Sequence, residues 1–386
     1  MPEGGGTLET AAQAKNGPKP MISVRHLRKV YRIGDEKVVA LADINLEILK
    51  GQVVCIVGTS GSGKSTLLNQ LAGLEKPTRG SVYIGKTNIS RLSENQLAIF
   101  RQRFLGFVFQ SYNLLPTMTA LENVSLPMIF KGVSKSKRNK ASMAMLAAVG
   151  LKKRAHHKPT QMSGGQQQRT ALARILAYEP DVIMLDEPFS ALDFYLKEQL
   201  QLQVKEVLKN YSGDALLVTH SRDEVYRFCE NSLILDRGSV VSRGKTGEIF
   251  KKPANVTAAR LTGCKNILPV RRVDEHHVFL PDWGVTLTAA EPVGENIRFI
   301  GIRERDLFQT DAGENCLPCR WTETLDQPLN RSLLLAPAET AAHSFEESPV
   351  LWWKVDKRSG QTDAIYSAGD RLTVAVRPGD ILLLEE

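Results

Sequence analysis

The stretch Gly58-Thr59-Ser60-Gly61-Ser62-Gly63-Lys64-Ser65 decides the fold of this chain. It follows an apolar run at residues 53–57, which predicts a strand, and precedes residues 65–72, whose leucines lie on one face of a helix. A strand, a glycine-rich loop and a helix in this order predict a phosphate-binding loop, because glycines let backbone N–H groups point inward and the helix N-terminus adds a favourable dipole. We expect Lys64 to contact the β- and γ-phosphates of a nucleotide and Ser65 to ligate Mg²⁺.

A second apolar strand, Val182-Ile183-Met184-Leu185, is followed directly by two carboxylates, Asp186 and Glu187. A buried strand holds its last residue rigidly, so Asp186 is predicted to reach the metal ion. Glu187, one residue further, is placed to polarise the attacking water. One carboxylate for the cation and one for the water is the arrangement expected for phosphoryl transfer to water.

A third motif, Ser163-Gly164-Gly165-Gln166-Gln167-Gln168-Arg169, opens a helix predicted to run to about residue 178. Ser163 is a favourable N-cap, and the two glycines leave the first N–H groups of the helix uncovered, which favours an anion there. Because the chain already has one phosphate loop, we expect this second helix end to cap the γ-phosphate of a nucleotide held by another subunit.

These motifs, together with Gln110, Ser190-Ala191-Leu192-Asp193 and His220, stand in the order and spacing of ABC-transporter ATPases. The chain resembles that family over residues 21–262, with Met162 in place of the leucine more usual before the signature serine. The resemblance implies a chain that binds Mg-ATP and forms a head-to-tail homodimer with shared ATP sites. It also implies that ATP hydrolysis drives integral membrane permease subunits from the cytoplasmic face of the membrane.

The resemblance also implies roles for individual residues. Tyr31 would stack on adenine, and Gln110 would contact Mg²⁺ and sense the membrane partner. His220 would hold the γ-phosphate and act with Glu187 and Gln110 in catalysis, while Asp193 would couple the two sites of the dimer. The metal-site residues are then Ser65, Gln110 and Asp186. The residues expected to contact the nucleotide are Tyr31, Gly58, Ser60, Gly61, Ser62, Gly63, Lys64, Ser65, Thr66, Ser163, Gly164, Gly165, Gln166 and Asp193.

The pattern of apolar runs predicts an α/β fold with two domains after a disordered tail at residues 1–20. Residues 21–262 are predicted to form the P-loop ABC ATPase domain, with a mixed or parallel sheet at its core, because its strands are apolar without alternation. A helical subdomain is expected at about residues 94–178. From residue 263 to 386, short strand-like runs between turn signals predict a small, β-barrel-like accessory domain. The resemblance implies a regulatory role for this domain.

Composition limits the classes of function. Hydrophobic residues make up 42% of the chain, but no apolar run reaches the ~18 residues of a membrane-spanning helix, so we expect any membrane role to involve a partner chain. The net charge of +8 is concentrated at residues 131–140 and 152–158. These basic runs are interpreted as a solvated helix face or, alternatively, as a surface near an anionic membrane. They lack the interleaved aromatic residues typical of nucleic-acid binding, so no nucleic-acid partner is expected.

The five cysteines are too few for a disulfide scaffold in a chain of 386 residues, and they suit a reducing cytoplasm. Cys316 and Cys319 form one CxxC pair. It has the spacing of half a zinc site with no second half nearby, so we interpret it as a chance pattern.

The sequence resembles two subfamilies in different segments. Residues 39–168 resemble the ATPases of lipoprotein-release and macrolide-export systems, as in Leu105-Gly-Phe-Val-Phe-Gln-Ser-Tyr-Asn-Leu-Leu-Pro116. From Phe189 onward the chain resembles molybdate-importer ATPases, as in Thr262-Gly-Cys-Lys-Asn266, and Ile300-Gly-Ile-Arg-Glu-Arg-Asp-Leu307 is similar to a strand of the small regulatory barrel of importer ATPases.

Import of an oxyanion such as molybdate is therefore the preferred hypothesis, and it adds an extracellular substrate-binding protein to the implied partners. The alternative is the ATPase of a lipoprotein-release or macrolide or peptide export complex. Soluble ABC ATPases that act on ribosomes or DNA are a further alternative, but they usually carry two cassettes or large insertions, whereas this chain has one phosphate loop.

Overall fold

Two compact units make up the chain, and they meet in the sequence between Val240 and Val241. The computed structural model describes residues 20–108, 112–190, 194–209, 211, 213–339, 350–357 and 369–386. The predicted tail falls on residues outside these ranges, except for Pro20, which begins the first strand. The predicted boundary after residue 262 remains a prediction, since two short helices before it group with the second unit.

The elements of the first unit alternate between strands and helices, as the apolar runs predict. In chain order they are β1 (Pro20–Ile33), β2 (Glu36–Leu49), β3 (Val53–Val57), α1 (Lys64–Leu71), β4 (Arg79–Ile84), β5 (Thr87–Asn88), α2 (Glu94–Phe104), β6 (Leu105–Val108), α3 (Ala120–Phe130), α4 (Lys135–Ala148), α5 (Gly164–Leu176), β7 (Val182–Asp186), α6 (Phe194–Lys209), β8 (Asp214–Thr219), α7 (Arg222–Phe228), β9 (Asn231–Asp236) and β10 (Ser239–Lys245), the last of which spans the division between the units.

A six-stranded sheet in the order β10-β9-β3-β8-β7-β6 forms the centre of this unit. Strands β9, β3, β8, β7 and β6 run parallel to one another, and their apolar side chains are buried among helices. The prediction of an α/β core from continuous apolar strands is confirmed. Because parallel strands end at the same edge, the segments after β3, β7 and β8 begin side by side.

A second sheet, in the order β2-β1-β4-β5, was not predicted. Strands β1 and β2 pair antiparallel over almost their full lengths. In β2 the residues Ile44, Leu46 and Ile48 are buried while their neighbours are exposed, which is the period-two pattern of a sheet with one covered face. This sheet shares a core with the central sheet through α1.

Helices α2 to α5 occupy the range predicted for the helical subdomain. Helices α2, α3 and α5 each begin with a capping box, at Ser93, Thr119 and Ser163, in which the cap side chain and a Glu or Gln three residues later exchange hydrogen bonds. Helices α3, α4 and α5 pack around a small buried cluster of Ala120, Val124, Leu146, Leu151 and Ala173, among others. Among the residues that the structure describes, no helix has both the length and the apolar character needed to span a membrane.

The second unit is rich in β-structure, as predicted. Its elements are α8 (Thr246–Lys251), α9 (Val256–Leu261), β11 (Asn266–Pro269), β12 (Arg271–Arg272), β13 (His277–Leu280), β14 (Val285–Thr288), β15 (Phe299–Ile302), β16 (Leu307–Gln309), β17 (Cys316–Asp326), β18 (Asn330–Pro337), β19 (Leu351–Asp356), β20 (Arg371–Val376) and β21 (Ile381–Leu384). The strands form sheets in the orders β11-β15-β21, β12-β13-β14 and β16-β20-β17-β18-β19 around one apolar core.

The cysteines differ from the expectation for a reducing compartment in one respect. Cys55 in β3 and Cys229 after α7 form a disulfide with a Cα–Cα distance of 5.8 Å. The two residues are 174 positions apart in the chain, so their proximity follows from the parallel pairing of β3 with β9 and not from any local pattern. Cys319 of the CxxC pair lies in the core of the second unit, where burial raises the pKa of its thiol to about 12.

Trp353 lies at the centre of the second core. Its side chain is 2% exposed, and its indole N–H donates to the carbonyl oxygen of Leu307 at 2.9 Å. We predict that Trp353→Ala lowers the free energy of unfolding of this unit by about 3–5 kcal/mol, because the substitution leaves a large cavity. All four tryptophans of the chain lie in this unit, so intrinsic fluorescence during denaturant unfolding reports on it selectively.

Trp352→Ala is the matched control. This neighbouring side chain is half-buried, and the ammonium of Lys265 lies 4.1 Å from the centre of its ring. Its loss is expected to cost about 1 kcal/mol. Equal losses for the two variants would show that Trp353 does not have the central role inferred from its burial.

Candidate active site

The loop after β3 depends on glycine at two close approaches. A Cβ atom at Gly63 would lie 2.5 Å from the carbonyl oxygen of Ala40, and one at Gly58 would lie 2.3 Å from that of Leu235. Gly63 also has a φ of 101°, in the left-handed region that favours glycine. Gly61, with a φ of 76°, faces open space instead. The loop is therefore packed tightly on one side and accessible on the other, as a phosphate cradle requires.

Lys64 is the first residue of α1 and folds back over this loop. Its ammonium donates to the carbonyl oxygens of Gly58 at 3.0 Å and Thr59 at 2.7 Å. The residue is only 7% exposed, and burial lowers the pKa of the ammonium, although the nearby carboxylates of Glu187 and Asp186 act in the opposite direction. The two carbonyl groups are neutral acceptors, whereas a phosphate would offer the ammonium a negatively charged one and so a stronger hydrogen bond.

Ser65 and Asp186 meet across the same space. The Ser65 hydroxyl donates to Asp186 Oδ1 at 3.3 Å. Burial, followed by the charge of Glu187, raises the pKa of Asp186, while the Ser65 hydrogen bond and Lys64 oppose this shift. A hydroxyl and one carboxylate fit Mg²⁺, which is usually bound by one or two protein oxygens together with phosphates and water. The described residues contain no cluster of three or more His, Cys, Asp or Glu suited to a metal.

Glu187 stands next to Asp186 with an unusual backbone conformation. Its φ is 45°, and its N–H donates to the carbonyl oxygen of Val218 in β8 at 2.9 Å. This conformation is uncommon for a non-glycine residue and is typical of functional sites. Glu187 Oε1 lies 3.2 Å from Nδ1 of His220, which follows β8. The pair can hold a carboxylate in one orientation, as general-base activation of water requires.

The third motif begins α5 as predicted, but it lies outside this network. The Ser163 hydroxyl accepts the N–H of Gln166 at 3.4 Å, and the Gln166 side chain accepts the N–H of Ser163 at 3.2 Å. The Gln167 amide anchors the segment by donating to the carbonyl oxygens of Pro159 and Met162. The structure thus joins Lys64, Ser65, Asp186, Glu187 and His220, and the described contacts do not include residues 163–166 in that group.

Comparison with known proteins identifies the family. The model of the ABC transporter family matches residues 41–190. An uncharacterised ABC transporter ATP-binding protein from Thermotoga maritima is 43% identical over 231 residues, which are 60% of this chain and 94% of that protein. The chain belongs to the ABC transporter family. This membership and the α/β fold with a C-terminal β-rich unit confirm the predictions from the motifs.

Relatives with named systems include both directions of transport. The lipoprotein-releasing system ATP-binding protein LolD of Saccharophagus degradans is 42% identical over 214 residues, covering 54% of this chain and 94% of LolD. The methionine import ATP-binding protein MetN of Haemophilus influenzae is 38% identical over 233 residues, covering 60% of this chain and 67% of MetN.

A solved structure supports the same assignment. The dimeric post-hydrolysis state of the ATP-binding cassette MJ0796, bound to ADP and Pi, has a TM-score of 0.56 and 41% identity, covering 58% of this chain and 99% of that chain. Family membership and this neighbour show that the chain is an ATP hydrolase.

Tyr31 of this ABC ATPase lies in β1 and is held by residues that the sequence did not indicate. Its hydroxyl donates to Glu75 at 2.7 Å, and Lys29 forms an ion pair with the same carboxylate at 3.0 Å. Thr66, one of the expected nucleotide contacts, also bonds to the tyrosine hydroxyl. Burial raises the pKa of Tyr31. The stacking of Tyr31 on adenine remains a prediction.

Arg174 in α5 is a second residue that the sequence did not reveal. It donates to the carbonyl oxygens of Tyr112 at 3.0 Å and Asn113 at 2.7 Å, two residues with positive φ values of 59° and 45°. The sequence signal that could have indicated its role is an arginine on the apolar, mostly buried face of a predicted helix. Gln110, two residues before this segment, and Asp193 lie outside the described residues, so their expected roles remain predictions.

Two clefts of the ATPase unit lie away from the phosphate loop. The larger, of about 1080 Å³, is lined by residues of α4 and α6 and by the segments that lead into β7 and β8, among others. The smaller, of about 340 Å³, contains Arg174 and Asn113 and has an apolar wall that includes Leu126, Pro127 and Phe130. Neither includes Lys64, Asp186 or Glu187, so cavity size alone does not locate the chemistry of this family.

Glu187→Gln is predicted to lower the rate of ATP hydrolysis by about 10²–10⁴-fold, since the amide cannot accept the proton of the attacking water. ATP binding should persist because Lys64, Ser65 and Asp186 are unchanged, and ATP should then trap a stable dimer. Steady-state phosphate release and size-exclusion chromatography with ATP measure the two effects.

The control is Glu198→Gln, which neutralises an exposed carboxylate in α6 and should leave the rate unchanged. Normal turnover by Glu187→Gln would mean that another group acts as the base.

Proposed function

We propose that two copies of this chain bind two Mg-ATP molecules between them and use hydrolysis to drive a solute through a membrane permease at the cytoplasmic face. The observation that carries the proposal is the separation of two phosphate-binding elements within one chain. One is the network of Lys64, Ser65, Asp186, Glu187 and His220. The other is the N-terminus of α5, whose described contacts are with its own segment.

The residues of the network divide the steps of hydrolysis. Lys64 and the loop N–H groups would hold the β- and γ-phosphates, and Ser65 with Asp186 would hold Mg²⁺, which would neutralise developing charge. Glu187 accepts a proton from water, and His220 orients that carboxylate through Nδ1. The second ring nitrogen of His220 is then available to bond the γ-phosphate.

The two-chain arrangement predicts a specific complementation. A Lys64→Ala chain damages only the loop side of an ATP site, and a Ser163→Arg chain damages only the signature side. In a mixed head-to-tail dimer both lesions fall in one composite site and the other site is intact. Mixing equal amounts of the two inactive chains should therefore restore about a quarter of the wild-type ATPase rate, if pairing is random and each site turns over independently.

Mixing Lys64→Ala with Glu187→Gln is the matched control. Both residues belong to the loop side, so each site of the mixed dimer carries one lesion and no activity should return. Rescue in the control, or none with the Ser163→Arg chain, would contradict the shared site.

The permease is proposed to dock in the cleft of about 340 Å³ between α2, α3 and α5. Its apolar wall includes Phe130, which is 65% exposed, and an exposed aromatic side chain at a groove is typical of a protein interface. Arg174 lines the same cleft and holds residues 112–113, next to the expected magnesium contact Gln110. These contacts support the proposal that the cleft connects permease movement to the nucleotide.

For the cargo, we propose import of an oxyanion such as molybdate, delivered by an extracellular binding protein. The support comes from the importer-like segments that begin at Phe189 and from the β-rich unit at residues 241–386, which suits a regulatory role. The similarity to MetN, a methionine import protein, agrees with import in general. It does not favour molybdate over other solutes.

Release of lipoproteins or export is the second candidate. The observation that favours it is the similarity to LolD, which reaches 42% identity over 214 residues, compared with 38% over 233 residues for MetN.

Uptake of labelled molybdate and release of lipoproteins from the inner membrane, measured in the same cells lacking this gene, separate the two candidates. The import proposal predicts that uptake falls to background and returns with the wild-type gene but not with Glu187→Gln. Lipoprotein release should be unaffected. Normal uptake with defective release would replace import by the second candidate.

A further inference from the structure

The helical part of the ATPase unit has an extreme charge balance. From Asn123 to Tyr178 the sequence contains seven Lys and four Arg but no Asp or Glu. A solvated surface usually mixes charges of both signs, because like charges on neighbouring turns repel each other. A segment without any acidic residue therefore has an unbalanced positive field.

Lys135, Lys137 and Lys140 concentrate this charge at the beginning of α4, and we refer to them as the α4 lysine surface. All three side chains are exposed. Lys137 and Lys140 are three residues apart and so lie on the same side of the helix, where they repel each other. The first turn of α4 contains no acidic residue, and the Ser134 side chain makes no cap hydrogen bond. Cations at a helix N-terminus also oppose the helix dipole.

Other cations nearby are already used within the protein. Lys131 donates to the carbonyl oxygen of Tyr178 at 3.0 Å and lies 4.7 Å from the centre of its ring. Arg138 donates to the carbonyl oxygen of Val133 at 3.2 Å. Lys131 is exposed as well, but its ammonium is engaged by Tyr178, so within residues 131–140 the α4 lysine surface carries the charge that is left for an outside partner.

Exposed apolar side chains lie a few residues before this surface in the chain. Ile129 and Phe130, at the end of α3, are 42% and 65% exposed. Phe130 and Lys135 are five residues apart, so the chain keeps them within about 18 Å. Exposed lysines with an aliphatic side chain such as Ile129 within this reach are typical of surfaces that contact the headgroup region of a membrane, whereas Phe130 lines the cleft proposed for the permease.

We propose that the α4 lysine surface binds the headgroups of anionic phospholipids. The inference rests on the proposed function in one respect, which is that the permease brings this ATPase to a membrane. The lysines line neither of the two clefts of the unit, so they offer a charged surface without a pocket for a peptide side chain. A diffuse layer of phosphate groups needs no such pocket and relieves the repulsion between Lys137 and Lys140.

The test uses the purified full-length chain and vesicles of two compositions. One contains phosphatidylcholine alone, and the other contains about 30 mol% phosphatidylglycerol, an anionic lipid. Sedimentation at low salt should show binding to the anionic vesicles only, and about 1 M salt should release the protein, since it shortens the Debye length to about 3 Å. The combined substitution Lys135→Gln, Lys137→Gln and Lys140→Gln should weaken binding about 100-fold, or about fivefold for each lysine.

The matched control neutralises three exposed lysines elsewhere in the same unit, with Lys86→Gln, Lys205→Gln and Lys209→Gln. It removes the same net charge and should change vesicle binding less than about threefold, because its lysines lie outside the α4 lysine surface. Equal weakening by both triple variants would overturn the proposal, since binding would then depend on net charge alone.

Two further outcomes separate this proposal from its alternatives. Failure of the wild-type chain to bind anionic vesicles would overturn it. If the α4 triple variant then also lost co-purification with the permease, an acidic permease segment would be the partner. ATP hydrolysis in solution should stay at the wild-type rate in both triple variants. If the wild-type chain did not hydrolyse ATP, that result would count against the proposed function and not against lipid binding by the α4 lysine surface.

Discussion

The register of three parallel strands is the constraint on which the catalytic site depends. Val57 at the end of β3 pairs with Thr219 at the end of β8, and Asp186 at the end of β7 pairs with Val218. The phosphate loop, the carboxylate pair and His220 therefore leave the sheet at one level. A shift of one residue in any of these strands would turn every side chain to the opposite face and separate the groups. The buried apolar residues of the strands resist such a shift.

The antiparallel sheet contributes to the same site from a distance in the sequence. The carbonyl oxygen of Ala40 in β2 lies where a side chain at Gly63 would project. On the other side, the N–H of Gly238 donates to the carbonyl oxygen of Ser62 at 3.0 Å, and the Gly238 carbonyl accepts the N–H of Ala42 at 2.9 Å. The loop is thus enclosed by β2 and by the turn between β9 and β10, which limits the conformations it can adopt before a phosphate arrives.

Local pattern was sufficient to predict the elements that carry the chemistry. Strand β3 has the predicted limits, and α1 begins one residue before its predicted start. Contacts between distant residues could not be predicted in this way, since periodicity says nothing about which elements become neighbours. The Tyr31–Glu75 bond, the contacts of Arg174 and the Cys55–Cys229 pair all belong to this group. The antiparallel sheet was missed because β1 is interrupted by register shifts and polar residues.

Helix α5 joins two regions of the ATPase unit that lie about three helical turns apart. Its first residues follow Ser163, and Arg174 near its other end holds the carbonyl groups of residues 112–113. A helix of 13 residues is about 20 Å long and resists bending over that distance. Thermal displacements at the two ends are therefore correlated. The N-terminus of α5 and the carbonyl groups held by Arg174 are expected to move together, as parts of one rigid body.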